Sequence, residues 1–151
     1  MTNNSSYTQL VEKSQFPHQA EVPLDDFFND ARGEITNLLL TPITSVARIT
    51  SKAGSVRANH YHKTDWHYAF VESGQILYFE RDIGVLEVPE PAIFKPGQMF
   101  FTRPNVEHAM LFSVDSVFYT FAKNIRSHDN HESDLERVSF ITPEVIARYI
   151  P

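Results

Sequence analysis

The chain has no cysteine. Disulfides and thiolate metal ligands are therefore excluded, and an oxidising compartment is not called for. Glycine is scarce, at five of 151 residues. That excludes low-complexity linkers and leaves each glycine free to mark a turn. Basic residues are outnumbered, 13 Lys and Arg against 19 Asp and Glu, and they form no cluster. Nucleic acid and anionic membranes are not expected as partners. No apolar run approaches the length of a membrane span. The opening Met1-Thr-Asn-Asn-Ser-Ser lacks an apolar signal core, so a cytoplasmic address is the expectation. No internal repeat is visible.

Aromatic residues are plentiful, including twelve phenylalanines. They argue for one well-packed domain, for which the length suffices. Residues 1–20 read as a polar N-terminal arm and 21–151 as a single domain. Val22 to Asp30 is expected to form a short helical turn, with Phe27 and Phe28 packing on the body. From Ile35 the texture is that of short strands rich in β-branched and aromatic residues: Ile35–Leu40, Ser45–Thr50, Ser55–His62, Trp66–Val71, Gln75–Arg81, Val85–Val88, Ala92–Lys95, Gln98–Thr102, His108–Phe112 and Ser116–Ala122. Turn signals every eight to twelve residues point to an antiparallel all-β sandwich or barrel. Thr142 to Ile150 reads as the one helix, with Thr142 as N-cap and Pro143 at the first helical position.

The chemistry concentrates in Gly54-Ser-Val-Arg-Ala-Asn-His60-Tyr-His62-Lys-Thr-Asp-Trp-His67. His60 and His62 are two apart, so on a strand they share a face. A turn at Lys63-Thr64-Asp65 would return His67 beside them, and His108 lies in a similar setting after Pro104. Imidazole is the commonest protein ligand for divalent transition metals. His60, His62, His67 and His108 are thus the candidate ligands of a divalent transition metal: Zn, Fe, Ni or Mn. The other histidines, His18, His128 and His131, read as surface or hydrogen-bonded residues.

The spacing of Gly54, His60, His62, His67 and Gly74 resembles the first signature motif of the cupin superfamily. Pro96-Gly97, Pro104 and His108 resemble the second. The resemblance spans residues 33–124 and implies an antiparallel double-stranded β-helix, the jelly-roll or cupin barrel, with a short C-terminal helix. This chain has His67 where the family usually has glutamate. Six residues rather than five separate Gly97 from Pro104, and three separate Pro104 from His108. An all-imidazole set leaves the metal charge uncompensated, which favours an anionic or enolate-like ligand.

Asp30-Ala-Arg-Gly-Glu-Ile-Thr and Arg57-Ala-Asn-His-Tyr-His-Lys63 more narrowly resemble cupins that modify nucleotide-linked deoxy-sugars, as do the tail segments 124–127 and 133–138. That implies a keto-isomerase or epimerase acting on a small carbonyl or sugar-type substrate. Arg57 would fix the substrate, and His60 or His62 would move protons if no metal were bound. Ala58 stands where that group has glycine. On a regular strand Arg57 and His60 point to opposite faces, so a bulge between them is required. Tyr78 and Tyr119 are candidate acids or bases. Tyr119, Phe121, Phe101 and Met110 are expected to line the pocket. An iron-dependent dioxygenase and a non-catalytic metal- or small-molecule-binding module are the alternative readings. A homodimer is expected, with Phe27 and Phe28 at the contact.

Overall fold

The computed structural model describes residues 16–151. Twelve strands are described: β1 Glu21–Val22, β2 Phe27–Asp30, β3 Gly33–Thr36, β4 Ser45–Ser51, β5 Val56–His62, β6 His67–Ser73, β7 Ile76–Asp82, β8 Ala92–Phe94, β9 Met99–Thr102, β10 Val106–Phe112, β11 Ser116–Ala122 and β12 Leu135–Arg137. Two helices are described, α1 His128–Asp134 and α2 Pro143–Tyr149. The strands form two five-stranded antiparallel sheets, ordered β1-β9-β6-β11-β4 and β12-β5-β10-β7-β8, beside a β2–β3 hairpin. No helix among the described residues is long and apolar enough to cross a membrane.

The strand alternation explains the layers. Inward positions of both sheets meet in a cluster of Ala69, Val71, Ile76, Tyr78, Phe94, Phe100, Met110, Phe112 and Phe118. The outer face of one sheet carries Leu77, Phe79, Ala109 and Leu111, covered by Phe140, Ile141 and Val145 from the C-terminal segment. The outer face of the other carries Tyr68, Met99 and Phe101 with Trp66, covered by Phe16, Val22, Leu24, Leu38 and Leu39. Fully burying each such side chain contributes about 1.5–3 kcal/mol. The C-terminal end of the expected arm is docked: the Ala20 carbonyl accepts from Phe101 N at 2.8 Å, and Pro17 O from Arg103 Nη2 at 2.7 Å. The rest of the arm, 1–15, lies outside the described residues.

The expected short helical turn is instead strand β2, in which Phe28 pairs with Ile35. The β-branched and aromatic side chains there favour a hairpin over helix. The strand expected over 35–40 ends at Thr36, and 85–88 is not a strand. Pro89 and Pro91 fit that, since proline cannot donate to a ladder. Helix α2 is as expected: Thr142 Oγ1 accepts from Val145 N at 3.4 Å, with Pro143 in the first turn. Helix α1 was missing from the sequence reading. It has no buried residue by which an apolar stripe could reveal it.

Candidate metal centre

All four histidines of the signature reach the inner side at one end of the barrel, while aromatic residues plug the other end. His60 and His62 end β5, His67 begins β6 and His108 lies near the start of β10. Antiparallel partners share a face, and His108 stands opposite both His60 and Glu80. His67 stands opposite Thr102 and Ala122. One ring nitrogen each from His60, His62 and His108 lies within 4.8 Å of the others, and all three residues are buried. Nδ1 of His60 and Nε2 of His108 are buried without a hydrogen-bond partner, while Nδ1 of His62 faces only the Asp134 carboxylate, 3.4 Å from its Oδ2. Such atoms are expensive to leave unsatisfied, by roughly 1–3 kcal/mol each. Three neutral imidazoles whose nitrogens converge within 4.8 Å, two of them carrying a buried partnerless nitrogen, are what a cation would satisfy, so the residues fit a divalent metal.

Burial, and then the neighbouring imidazoles, push His60, His62 and His108 down to about 3. They therefore stay neutral at physiological pH and keep a lone pair available. His67 is also held well below the usual imidazole range, first by burial and then by Arg126. Its ring centroid is 5.9 Å from His62 and 5.8 Å from His108, little more than the 5.5 Å between those two, but its nitrogens do not join the group that converges within 4.8 Å. His131, set aside in the sequence, belongs beside the cluster: α1 carries its ring to 5.4 Å from His62 and 6.1 Å from His60. Asp134 at the end of α1 fastens that helix to the β5–β6 turn by accepting from Thr64 N at 2.9 Å, Thr64 Oγ1 at 2.6 Å and Asp65 N at 3.1 Å. His62, Asp65 and Asp134 also approach one another. Both carboxylates already have partners, so that group is the weaker cation site.

The other candidates fare differently. A bulge does exist in β5: the register passes from His108↔His60 to Ala109↔Ala58, leaving Asn59 extra. It brings Arg57 opposite the inward Met110, yet at the far end of the strand from His62. Its guanidinium donates to Ser51 Oγ at 2.6 Å and the Thr50 carbonyl at 2.8 Å. Arg57 is thus not at the histidines, contrary to the role expected of it. Tyr119 lies on the outer face and donates to Glu72 Oε1 at 3.1 Å. Phe101 and Phe121 are also on the outer face; only Met110 of the four expected lining residues faces in. Tyr78 is inside, its ring 6.4 Å from His108, with its hydroxyl 2.9 Å from Thr102 Oγ1 and donating to Glu80 Oε2 at 3.1 Å. Burial, then the Glu80 charge, raise that phenol far above its ordinary value.

Sequence reading missed Glu80 and Arg126. Glu80 shares the inward parity of Tyr78 on β7, and that period was the available signal. Burial raises its carboxyl above the ordinary range, and it lines a cavity of 310 Å³ with His18, Asp82, Arg103 and Val106. Arg126 follows β11 and had no periodic signal. Its Nε donates to Asp65 Oδ2 at 2.8 Å, and its Nη2 is 3.0 Å from Nδ1 of His67.

The chain has the cupin fold: an antiparallel jelly-roll barrel of the kind built by sugar-nucleotide epimerases and ketoisomerases. Among solved structures it is similar to dTDP-4-dehydrorhamnose 3,5-epimerase from Sulfolobus tokodaii, with TM-score 0.58, 18% identity, and coverage of 77% of this chain and 76% of that one. It is also similar to a sugar 3,4-ketoisomerase from Thermoanaerobacterium thermosaccharolyticum in complex with TDP, with TM-score 0.57, 19% identity and coverage of 83% and 93%. A third similar structure is the capsular polysaccharide assembling protein CapF of Staphylococcus aureus, with TM-score 0.56 and 20% identity. The match covers 75% of this chain but only 34% of that longer one. No family model and no curated protein matches the sequence.

Proposed function

We propose that the protein is an isomerase- or epimerase-type cupin that moves a proton next to the carbonyl of a small sugar-type substrate, with a divalent transition metal held by His60, His62 and His108. The observation that carries this reading is the convergence of one nitrogen each from the buried imidazoles of His60, His62 and His108 within 4.8 Å. An all-nitrogen set suits zinc, iron or nickel better than hard oxygen-preferring ions. A bound ion would polarise the substrate carbonyl and stabilise charge developing on its oxygen. The similarity to sugar epimerases and to a TDP-bound ketoisomerase supports a nucleotide-linked substrate.

Glu80 takes the α-proton in this reading. It stands opposite His108 on the inner face, borders the cavity, and has its proton affinity raised by burial. Arg103 in the same lining supplies a cation for an anionic part of the substrate. Tyr78 keeps its proton and orients the Glu80 carboxylate.

The test is proton exchange. Protein loaded in turn with zinc, iron or nickel is incubated in D₂O with a TDP-linked 4-keto-6-deoxyhexose. Deuterium should enter the carbon next to the ketone, and Glu80→Gln should abolish this. Absence of exchange with every metal would refute the isomerase reading, and oxygen uptake by the iron form would replace it with a dioxygenase. The reading includes a two-fold dimer through the β2–β3 hairpin, on which Phe27, Phe28 and Ile35 are 57%, 60% and 63% exposed. Light scattering should give twice the chain mass, and Phe28→Asp should halve it. A monomer mass for the unmodified chain at micromolar concentration would rule the dimer out.

A further inference from the structure

His67 and His108 sit within 5.8 Å of each other, yet their surroundings impose opposite tautomers. Nδ1 of His108 lies 3.1 Å from the Val106 carbonyl oxygen. A carbonyl only accepts, so the proton of His108 is on Nδ1 and the lone pair on Nε2. That Nε2 is the buried atom without a partner. Nδ1 of His67 instead lies 3.0 Å from Nη2 of Arg126. A guanidinium has only donors and does not lose its proton in proteins. Nδ1 of His67 must therefore accept, and its proton is on Nε2.

Arg126 is not free to turn away. Its Nε donates to Asp65 Oδ2 at 2.8 Å, and its backbone N to Ser45 Oγ at 2.9 Å. Asp65, 2% exposed, is itself fixed by Asn124 N donating to Oδ1 at 2.9 Å. A tautomer set by a second, anchored group is how proteins orient imidazoles. Here the anchoring group is a donor where a metal-ligating histidine needs an acceptor. Nε2–H has no lone pair to offer a cation.

We propose that His67 lies outside the metal-ligand set and is a tautomer-locked hydrogen-bond donor, held by the Asp65–Arg126 pair to grip an oxygen of the ligand bound beside His60, His62 and His108. The oxygen it suits is a carbonyl, enolate or other anionic oxygen. A fixed N–H backed by a full positive charge in a buried site stabilises such an oxygen without reorganising. The donor role toward substrate rests on the isomerase reading above; the tautomer and the exclusion from the ligand set do not.

The test is a long-range ¹H–¹⁵N spectrum of ¹⁵N-labelled protein, with the His67 signals assigned through His67→Gln. In metal-free protein His67 should show a bare Nδ1 and a protonated Nε2, and His108 the reverse. Arg126→Met should release the His67 tautomer and leave that of His108 in place. Adding Zn²⁺ should move a nitrogen of His60, His62 and His108 and leave His67 protonated on Nε2. By calorimetry, His67→Ala should keep the zinc Kd within about threefold, whereas His108→Ala should weaken it by about a hundredfold or more. A His67 protonated on Nδ1, or its Nε2 moving to a metal-bound position with zinc, would overturn the proposal. If wild-type protein bound no zinc, the metal reading would fall while the tautomer spectrum still decided this one. His67→Gln retaining more exchange activity than His67→Ala would support the donor role, since the amide keeps an N–H; equal losses would count against it.

Discussion

His60 and His108 are cross-strand partners with ring centroids 4.9 Å apart, and the ladder slips by one residue immediately beyond them. The slip is the bulge at Ala58 and Asn59, both with positive φ, 66° and 58°. Left-handed backbone costs an alanine about 1 kcal/mol or more. Asn59 in this bulge clamps the C-terminal segment, giving Nδ2 to the Ile141 carbonyl and accepting from Ile141 N, both at 3.2 Å. The bulge thus ties the geometry of the histidines to the cover over the outer sheet face. It also gives a physical reason for glycine at position 58 in the cupins this segment resembles.

Metal should raise stability by mass action. At a hundredfold excess over Kd, an ion that binds only the folded chain adds about 2.7 kcal/mol. The Tm should rise with Zn²⁺ and fall with chelator, His108→Ala should remove the shift, and His128→Ala should leave it intact. His131→Ala should fall between them because its ring lies beside His62. Calorimetry with and without chelator checks this; identical melts of verified metal-loaded and stripped protein would contradict it.

Acid should destabilise the metal-free protein early. His60, His62 and His108 are held at about 3 in the folded chain, against about 6.5 when unfolded. The unfolded chain therefore takes up protons first. Stability is full above pH 6.5 and falls as the pH drops toward 3. Urea titrations should be flat above pH 7 and lose stability steeply between 6.5 and 4, with a shallower loss in His108→Ala. Equal midpoints at pH 7.5 and 5 would show that these nitrogens are hydrated.

Tyr78→Phe should cost about 1–2 kcal/mol, because it strips a partner from Thr102 Oγ1 in a residue with no exposure. The double variant Tyr78→Phe/Thr102→Val should lose less than the sum of the single losses. Urea midpoints of the four proteins measure the coupling; strict additivity would mean that the two hydroxyls do not interact.

Gly74→Ala should destabilise by more than an ordinary surface change. Gly74 joins β6 to β7 at φ +87°, and an added Cβ would lie 2.6 Å from the Asp115 carbonyl oxygen and 2.6 Å from Ser116 Cα. Both are backbone atoms that cannot step aside. Gly54→Ala, also at positive φ but with open space around it, should suffer the smaller loss. Equal thermal shifts for the two would place the effect in backbone conformation alone.

The sequence alone determined the strands that carry the site and the identity of three converging histidines. His60 and His62 were legible because the period of a strand is two, whatever the rest of the fold does. His108 was legible through its motif setting, and Thr142-Pro143 fixed a helix start by local capping. Tertiary structure decided what depends on neighbours distant in the chain. Parity tells which residues share a face but not which face turns inward, so Tyr119 and Phe121 were assigned to the wrong side of β11, where Phe118 faces in. The bulge required in β5 is present, but Arg57 lies at the other end of that strand, bonded to Ser51 and Thr50. The role of His67 depends on Arg126, 59 residues away, and that of His131 on a helix without an apolar face. A side chain's type sets which bonds it can make. Which of its atoms is left to make them is set by the partner that packing brings alongside.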